Sequence, residues 1–323
     1  MTVFVHLGAH KTGSTLLQNV LFTNRGALRR QKVVYQRGPG RHPFWHYFQD
    51  GDQAEFARRC IAMRERFQVN AATFRHVIFS SETVFGPSDL IGASRLYRDA
   101  PWALDALQKM LEGLDIQIIF YVRRQDSFIE SCFLNRIQTL ATSPHLNHVT
   151  MIRDGRLDDF QAYFAQIQPE ALSWYDLVGE MVDRFGYRRV TIRPFETIER
   201  GRAAFVRCFL ESFCDPNMLD LGGGIYENRS FSAEAMAQFL ALAPETPYEE
   251  LKALRLRLQE DYPTPAHARP QMLTLAQRRW LLEVHEEANR ALFGEFVCES
   301  DQEFEYSGGS DLIWGSVEQE PTR

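Results

Sequence analysis

The stretch Val3-Phe4-Val5-His6-Leu7-Gly8-Ala9-His10-Lys11-Thr12-Gly13-Ser14-Thr15-Leu16-Leu17-Gln18 decides how the rest of the chain reads. Val3–Leu7 is a short apolar run of strand length, Ser14–Asn24 has the length and pattern of a helix, and the turn between them carries two glycines. Gly8 and Gly13 let the backbone fold tightly around an anion. The amides of Gly13, Ser14 and Thr15 then open a helix whose N-terminus carries partial positive charge. Lys11 adds a full charge and three donors, while Ser14 and Thr15 offer hydroxyls. Together these residues make a phosphate cradle. The turn departs from the nucleotide loop G-x-x-x-x-G-K-S/T. Gly8 and Gly13 keep its separation, but Ser14 stands at the lysine position and Lys11 lies inside the turn. No aspartate after a second strand stands ready to support Mg²⁺, which weighs against a metal-assisted ATP kinase.

Beyond the loop the chain alternates strand and helix. Strands are predicted at Val3–Leu7, Lys32–Tyr35, His76–Ser80, Ile116–Val122 and Arg189–Phe195. Helices are predicted at Ser14–Asn24, Asp52–Val69, Ser94–Leu114, Asp126–Leu140 and Ser173–Phe185, with Gly186 placed as a C-terminal cap. Apolar strands separated by helices imply crossover units and a mainly parallel, buried sheet in an α/β fold. After about residue 200 the strand signal vanishes, and Phe205–Phe213, Ser232–Leu242, Tyr248–Gln259 and Leu273–Leu292 read as helices. The expected organisation is one α/β domain over 1–300, with a core over 1–200 and a helical extension over 201–300. Residues 301–323 read as a loosely held tail whose main apolar cluster is Leu312-Ile313-Trp314.

Composition bounds the function classes. The chain has 323 residues, 45% of them hydrophobic, enough to bury a substantial core. A net charge of −6 argues against a general nucleic-acid binder, because backbone affinity needs many cations on one face. No apolar run reaches the roughly 20 residues of a membrane helix. Met1 leads straight into a strand and not into an export signal. The five cysteines (Cys60, Cys132, Cys208, Cys214, Cys298) are odd in number and hold no C-x-x-C pair, so neither a disulfide framework nor a zinc site is expected. The expected setting is cytoplasmic.

Gly8-x-x-Lys11-x-Gly13-Ser14-Thr15 after a first strand resembles the 5′-phosphosulfate-binding loop of the sulfotransferases that use 3′-phosphoadenosine 5′-phosphosulfate (PAPS). The resemblance implies a P-loop-like architecture. It also implies that Lys11 contacts the 5′-phosphate and the bridging oxygen, with Gly8, Thr12, Gly13, Ser14 and Thr15 completing the cradle. It further implies a later strand ending in an arginine, with a serine eight positions on, both on the donor's 3′-phosphate. Ile116–Val122 runs into Arg123, and eight positions later stands Ser131. The proline common two residues after that arginine is Gln125 here. Read alone, the pair is an arginine ending a strand and a serine on a helix; beside the loop it is a second motif.

The same resemblance places the catalytic base after an intervening strand, where Val77-Ile78-Phe79-Ser80-Ser81 leads to Glu82. Glu82 is the leading general base, against the plainer reading of a helix-initiating glutamate. His46 is the rival base, and with Trp45 it stands in an aromatic stretch, Phe44 to Phe48, suited to lining an acceptor pocket or to covering the sheet. Thr191-Ile192-Arg193-Pro194-Phe195-Glu196 resembles a later family strand and reads as architectural. Arg229 falls near the family's loop over the 3′-phosphate, although the Lys-Gly that follows there is missing. The activity implied is sulfuryl transfer from PAPS, releasing adenosine 3′,5′-bisphosphate (PAP), to a hydroxyl or amine of a small molecule or carbohydrate, with no metal. A divergent ATP phosphotransferase and a non-catalytic nucleotide-binding protein are the alternatives. Independently of any family, Gly8–Thr15, Glu82 and Arg123 each follow a predicted strand's carboxyl end, where open parallel sheets bind ligands.

Overall fold

Runs of β-branched and aromatic residues form the five strands, β1 (Thr2–His6), β2 (Val33–Tyr35), β3 (His76–Ser80), β4 (Asp115–Val122) and β5 (Val190–Pro194). They build one parallel sheet in the order β2-β3-β1-β4-β5. The computed structural model describes residues 1–36, 42–88, 90–140, 159–221, 230–264 and 266–307. Arg229 and the Leu312-Ile313-Trp314 cluster lie outside these described residues.

Side chains alternate across the sheet, as the period of two in a strand requires. Val3 and Val5 of β1, Val77 and Phe79 of β3, and Ile116, Ile118, Phe120 and Val122 of β4 face one layer. Phe4, Ile78, Ile119 and Tyr121 face the other. The second layer is formed by α1 (Ser14–Thr23), α2 (Arg25–Arg30) and, later in the chain, Arg202–Leu210. The first layer is larger. It takes α3 (Pro43–Asp50), α4 (Gln53–Ala71), α5 (Ala100–Leu111), α6 (Gln125–Leu140), α7 (Phe160–Phe164) and α8 (Trp174–Phe185). After Arg202–Leu210, which is α9, the first layer continues with α10 (Ala233–Leu242), α11 (Tyr248–Asp261), α12 (Leu275–Val284) and α13 (Glu286–Phe296). Both faces of the sheet are therefore covered, which is why its strands read as near-continuous apolar runs. Each large side chain that is fully buried, such as Phe120 or Trp174, contributes about 1.5–3 kcal/mol of transfer free energy.

Strand order positions the site. From β1 the chain leaves toward β2 on one side, and from β4 it leaves toward β5 on the other. The crevice above the carboxyl ends of β1 and β4 is the point where the winding reverses, the place where such sheets hold ligands.

The parallel α/β class is as the sequence implies, and every predicted strand is present to within a residue at each end. Two helices differ. The helix expected from Ser94 starts at Ala100, because Pro101 fits only a first turn and Tyr97 is left-handed at φ 54°. Leu273–Leu292 is two helices that part at His285, whose Nε2 bonds the Pro169 carbonyl at 2.8 Å. Two short helices, α2 and α3, are absent from the predicted elements, and α3 spans the aromatic stretch. Residues 301–306, expected in a loose tail, are packed: Asp301 and Tyr306 are buried, and Tyr306 Oη donates to Glu196 Oε2 at 2.7 Å.

Candidate active site

The phosphate turn continues the sheet before it curls. Leu7 N bonds Ile119 O at 3.1 Å, Tyr121 N bonds Gly8 O at 2.6 Å, and Ala9 N bonds Tyr121 O at 2.9 Å, so the turn runs along the end of β4. Gly8 has φ 91°, and a Cβ there would meet Glu82 Cβ at 2.9 Å. Only glycine allows the turn and Glu82 to lie this close. Gly13, at φ 81°, precedes α1 without a side-chain cap, and no acidic residue stands in the first turn. The Leu17 amide makes the first helical bond, to Gly13 O at 3.1 Å. The amides of Ser14, Thr15 and Leu16 thus have no partner within the helix, as at any helix N-terminus. The Thr12 and Ser14 hydroxyls donate to Ala9 O at 2.7 and 3.3 Å, which pins the turn; both residues are buried, whereas Thr15 is exposed.

Lys11 is left-handed at φ 62°, and its Nζ donates to Asn135 Oδ1 on α6 at 3.3 Å. Burial, followed by the neighbouring Arg123, pushes its pKa below the ordinary lysine range. His10 beside it bonds Tyr97 Oη through both its amide (3.0 Å) and Nδ1 (3.1 Å). Burial and then Lys11 push that ring down to about 4, so it stays neutral.

Arg123 ends β4 and enters the turn from the other side. Its Nη1 donates to the Lys11 carbonyl at 2.6 Å, its Nε to Ser127 Oγ at 2.9 Å, and its guanidinium lies 4.9 Å over the Phe195 ring. Trp174 Nε1 fixes the Arg123 carbonyl at 2.6 Å. The sequence-spaced Ser131 lies one helical turn beyond Ser127, and Asn135 one turn beyond that. These three share a face of α6. Arg123 holds one end of this stripe, Lys11 holds the other, and partly buried Ser131 sits between. At 1.5 Å per residue the stripe is roughly 12 Å long.

Glu82 begins a one-turn helix, Glu82–Phe85, capped by Ser81. Its Oε2 accepts from Gln18 Nε2 at 2.8 Å, and its charge acts on Lys11. The three motifs therefore occupy one crevice. The aromatic stretch is mostly cover: Phe44 is buried, and Tyr47 stacks on Trp102 with centroids 4.3 Å apart. His46 faces Asp50 along its own helix at 3.8 Å, and its neighbour Trp45 lies edge-on to it at 5.1 Å. The histidine that reaches the Glu82 turn is His42, just ahead of that stretch, whose Nε2 bonds Thr83 Oγ1 at 2.7 Å and also Ser81 Oγ.

Behind Arg123 lies a buried ionic lattice. Asp126 binds Arg124 at 2.8 Å and Arg278 at 2.9 Å, and Arg278 also binds Glu130 at 2.6 Å. Glu130 accepts the Met272 and Leu273 amides, while Glu196 accepts the Arg124 amide at 3.1 Å. Two further cations act on the site: Arg255 of α11 on Lys11, and Arg269 on Arg123. Sequence reasoning missed Gln18, Asn135, Tyr97, Arg255, Arg269 and Arg278, because their partners stand far away in the chain. Arg123 and Arg255 both depress Lys11, so cationic side chains gather at this crevice although the protein as a whole is acidic. No cluster of three or more His, Cys, Asp or Glu suited to a metal occurs among the described residues, and no described helix is long and apolar enough to cross a membrane.

No protein-family profile matches this chain, and no curated protein matches it. Among solved structures it is similar to the crystal structure of a sulfotransferase from Alicyclobacillus acidocaldarius, with 14% identity over 76% of this chain and 93% of that chain, at a TM-score of 0.35. At that level the likeness carries no functional argument, and any reading of chemistry rests on this chain's own residues.

Proposed function

We propose that this chain is a sulfotransferase that moves the sulfuryl group of PAPS to an acceptor hydroxyl or amine, with a carbohydrate among the candidate acceptors. The observation that carries the reading is the 2.6 Å bond from Arg123 to the Lys11 carbonyl. It joins two anion-binding motifs, 112 residues apart, into one cradle with a polar helix face between them. The site's chemistry fits a ligand with two separated phosphate groups: the first amides of α1 and Lys11 at one end, Arg123 at the other, and Ser131 on the helix face between them.

When bound, PAPS supplies the sulfuryl group and a phosphate leaving group. Glu82 removes the acceptor's proton as the new bond to sulfur forms. Lys11 and the first amides of α1 stabilise the negative charge left on the 5′-phosphate as the old sulfur–oxygen bond breaks. Arg123 and Ser131 hold the 3′-phosphate, a group that ATP lacks. Gly8 keeps the base close to the turn.

Transfer of radiolabelled sulfate from PAPS to carbohydrate, lipid and phenolic acceptors tests the proposal. The unaltered chain is expected to label at least one class, and Lys11→Ala and Glu82→Gln to fold normally and lose turnover. Wild-type rates in both purified variants contradict it.

A further inference from the structure

One helix serves both halves of the crevice. Its first amides face the phosphate turn, and Gln18, one turn on, reaches Glu82. Gln18 Nε2 donates to Glu82 Oε2 at 2.8 Å and to Ser80 Oγ at 3.3 Å. A carboxylate only accepts, so the amide must present its nitrogen here; the chemistry fixes the flip.

Ser80 is held in turn by His6 Nδ1 at 2.8 Å, across the register pair His6↔Ser80 that ends β1 and β3. His6 Nε2 is buried without a partner. The less costly tautomer therefore keeps its proton on Nδ1, donating to Ser80. On the far side His42 Nε2 engages both Ser81 and Thr83. Burial pushes both rings down to about 3, so they stay neutral and act as fixed struts, not as bases. Every hydroxyl flanking Glu82, at 80, 81 and 83, is thus taken by an imidazole. Glu82 Oε1 makes no hydrogen bond among the described residues, and it is the oxygen left for an acceptor proton.

We propose that Gln18 is the positioning residue for Glu82, tying the base to the helix that receives the leaving phosphate, so that one rigid element sets the distance between proton acceptor and leaving group. This rests on the reading of Glu82 as the base. Sequence alone shows only a glutamine inside a helix.

A double-mutant cycle tests it, reading PAP released from PAPS, with water as the acceptor where no better one is in hand, together with PAP affinity by calorimetry. Gln18→Ala is expected to lower kcat about 10- to 100-fold in the unaltered background, the scale of a hydrogen bond to a charged group. In a Glu82→Gln background the same change is expected to cost less than about twofold, because its effect passes through the carboxylate. PAP affinity should hold within about twofold in both. An equal loss in both backgrounds, or a matching fall in PAP affinity, overturns the proposal by making Gln18 structural. Wild-type turnover in Glu82→Gln alone, or no PAP release from the unaltered chain, overturns the underlying reading instead.

Discussion

The two ends of the crevice are built in opposite ways. The turn from Gly8 to Thr15 is backbone: glycines with positive φ, first amides of α1 that have no partner within the helix, and one partly buried lysine whose Nζ touches, among the described residues, a single amide oxygen. The Arg123 end is side chain. Its guanidinium is already bonded to a carbonyl and a hydroxyl and stacked on Phe195, and the next residues anchor a buried lattice of Arg124, Asp126, Glu130 and Arg278. The first end stores unmet donors that an anion satisfies. The second is assembled in advance and holds its shape without a ligand. Substitutions at the lattice should therefore cost stability, and substitutions at the turn should cost chemistry.

The largest effect is expected at the lattice. Arg278→Ala leaves Asp126 and Glu130 short of a partner in a buried setting, which costs about 3–5 kcal/mol, measurable by urea unfolding. The same lattice sets a pH dependence. Burial alone would raise the Asp126 pKa, but Arg124 and Arg278 outweigh it and hold the carboxyl below its usual range. A depressed folded-state value means the stabilisation is present above the unfolded value, near 4, and is lost as pH falls through the folded one. Asp126→Asn is expected to flatten that acid loss; an unchanged acid limb breaks the assignment.

Next come the two cations. Lys11→Ala should lower turnover by about 10²–10³-fold while shifting stability by less than about 0.5 kcal/mol, since the hydrogen bond its Nζ makes among the described residues is a long one, 3.3 Å to Asn135. Arg123→Ala should lower both, with about 1.5–3 kcal/mol lost from unfolding free energy as the bonds to the Lys11 carbonyl and Ser127 go. Equal stability losses at the two positions would mean that the two ends are not built differently.

Ser131→Ala is smaller, expected to weaken PAP binding about tenfold by titration calorimetry with no change in the melting temperature. Smallest is a protonation effect. Because burial and Arg123 depress Lys11 in the free site, a phosphate should restore its charge, and binding should take up protons on the alkaline side, below the ordinary lysine range. Calorimetry in buffers of different ionisation enthalpy reads the uptake, which should vanish in Lys11→Met.

Much of the fold was legible because burial on both faces makes strands such as Ile116–Val122 continuous apolar runs, and because Gly8, Lys11 and Gly13 sit at a strand–helix junction. The halves of the site that sequence spacing carries, the turn and Arg123/Ser131, are brought together by the winding reversal between β1 and β4. What stayed hidden is what tertiary contact decides. His285 splits a helix because of a carbonyl 116 residues away. Gln18 looks like any helical glutamine until β3 delivers Glu82, and Arg278 looks like a surface charge until α6 folds under it. His46 drew attention because it sits among aromatics, yet the contact with the Glu82 turn belongs to His42. Pro43 at the start of α3 and Pro101 at the start of α5 were legible signals for helix starts that the pattern of apolar residues alone obscures.

The central claim is that the two ends together select a nucleotide carrying a 3′-phosphate. Calorimetric titration of the full chain with PAP, and in parallel with ATP plus Mg²⁺, measures this directly. PAP is expected to bind at least about tenfold tighter, with the advantage lost in Arg123→Ala. ATP with Mg²⁺ binding as well as PAP, or better, would contradict it.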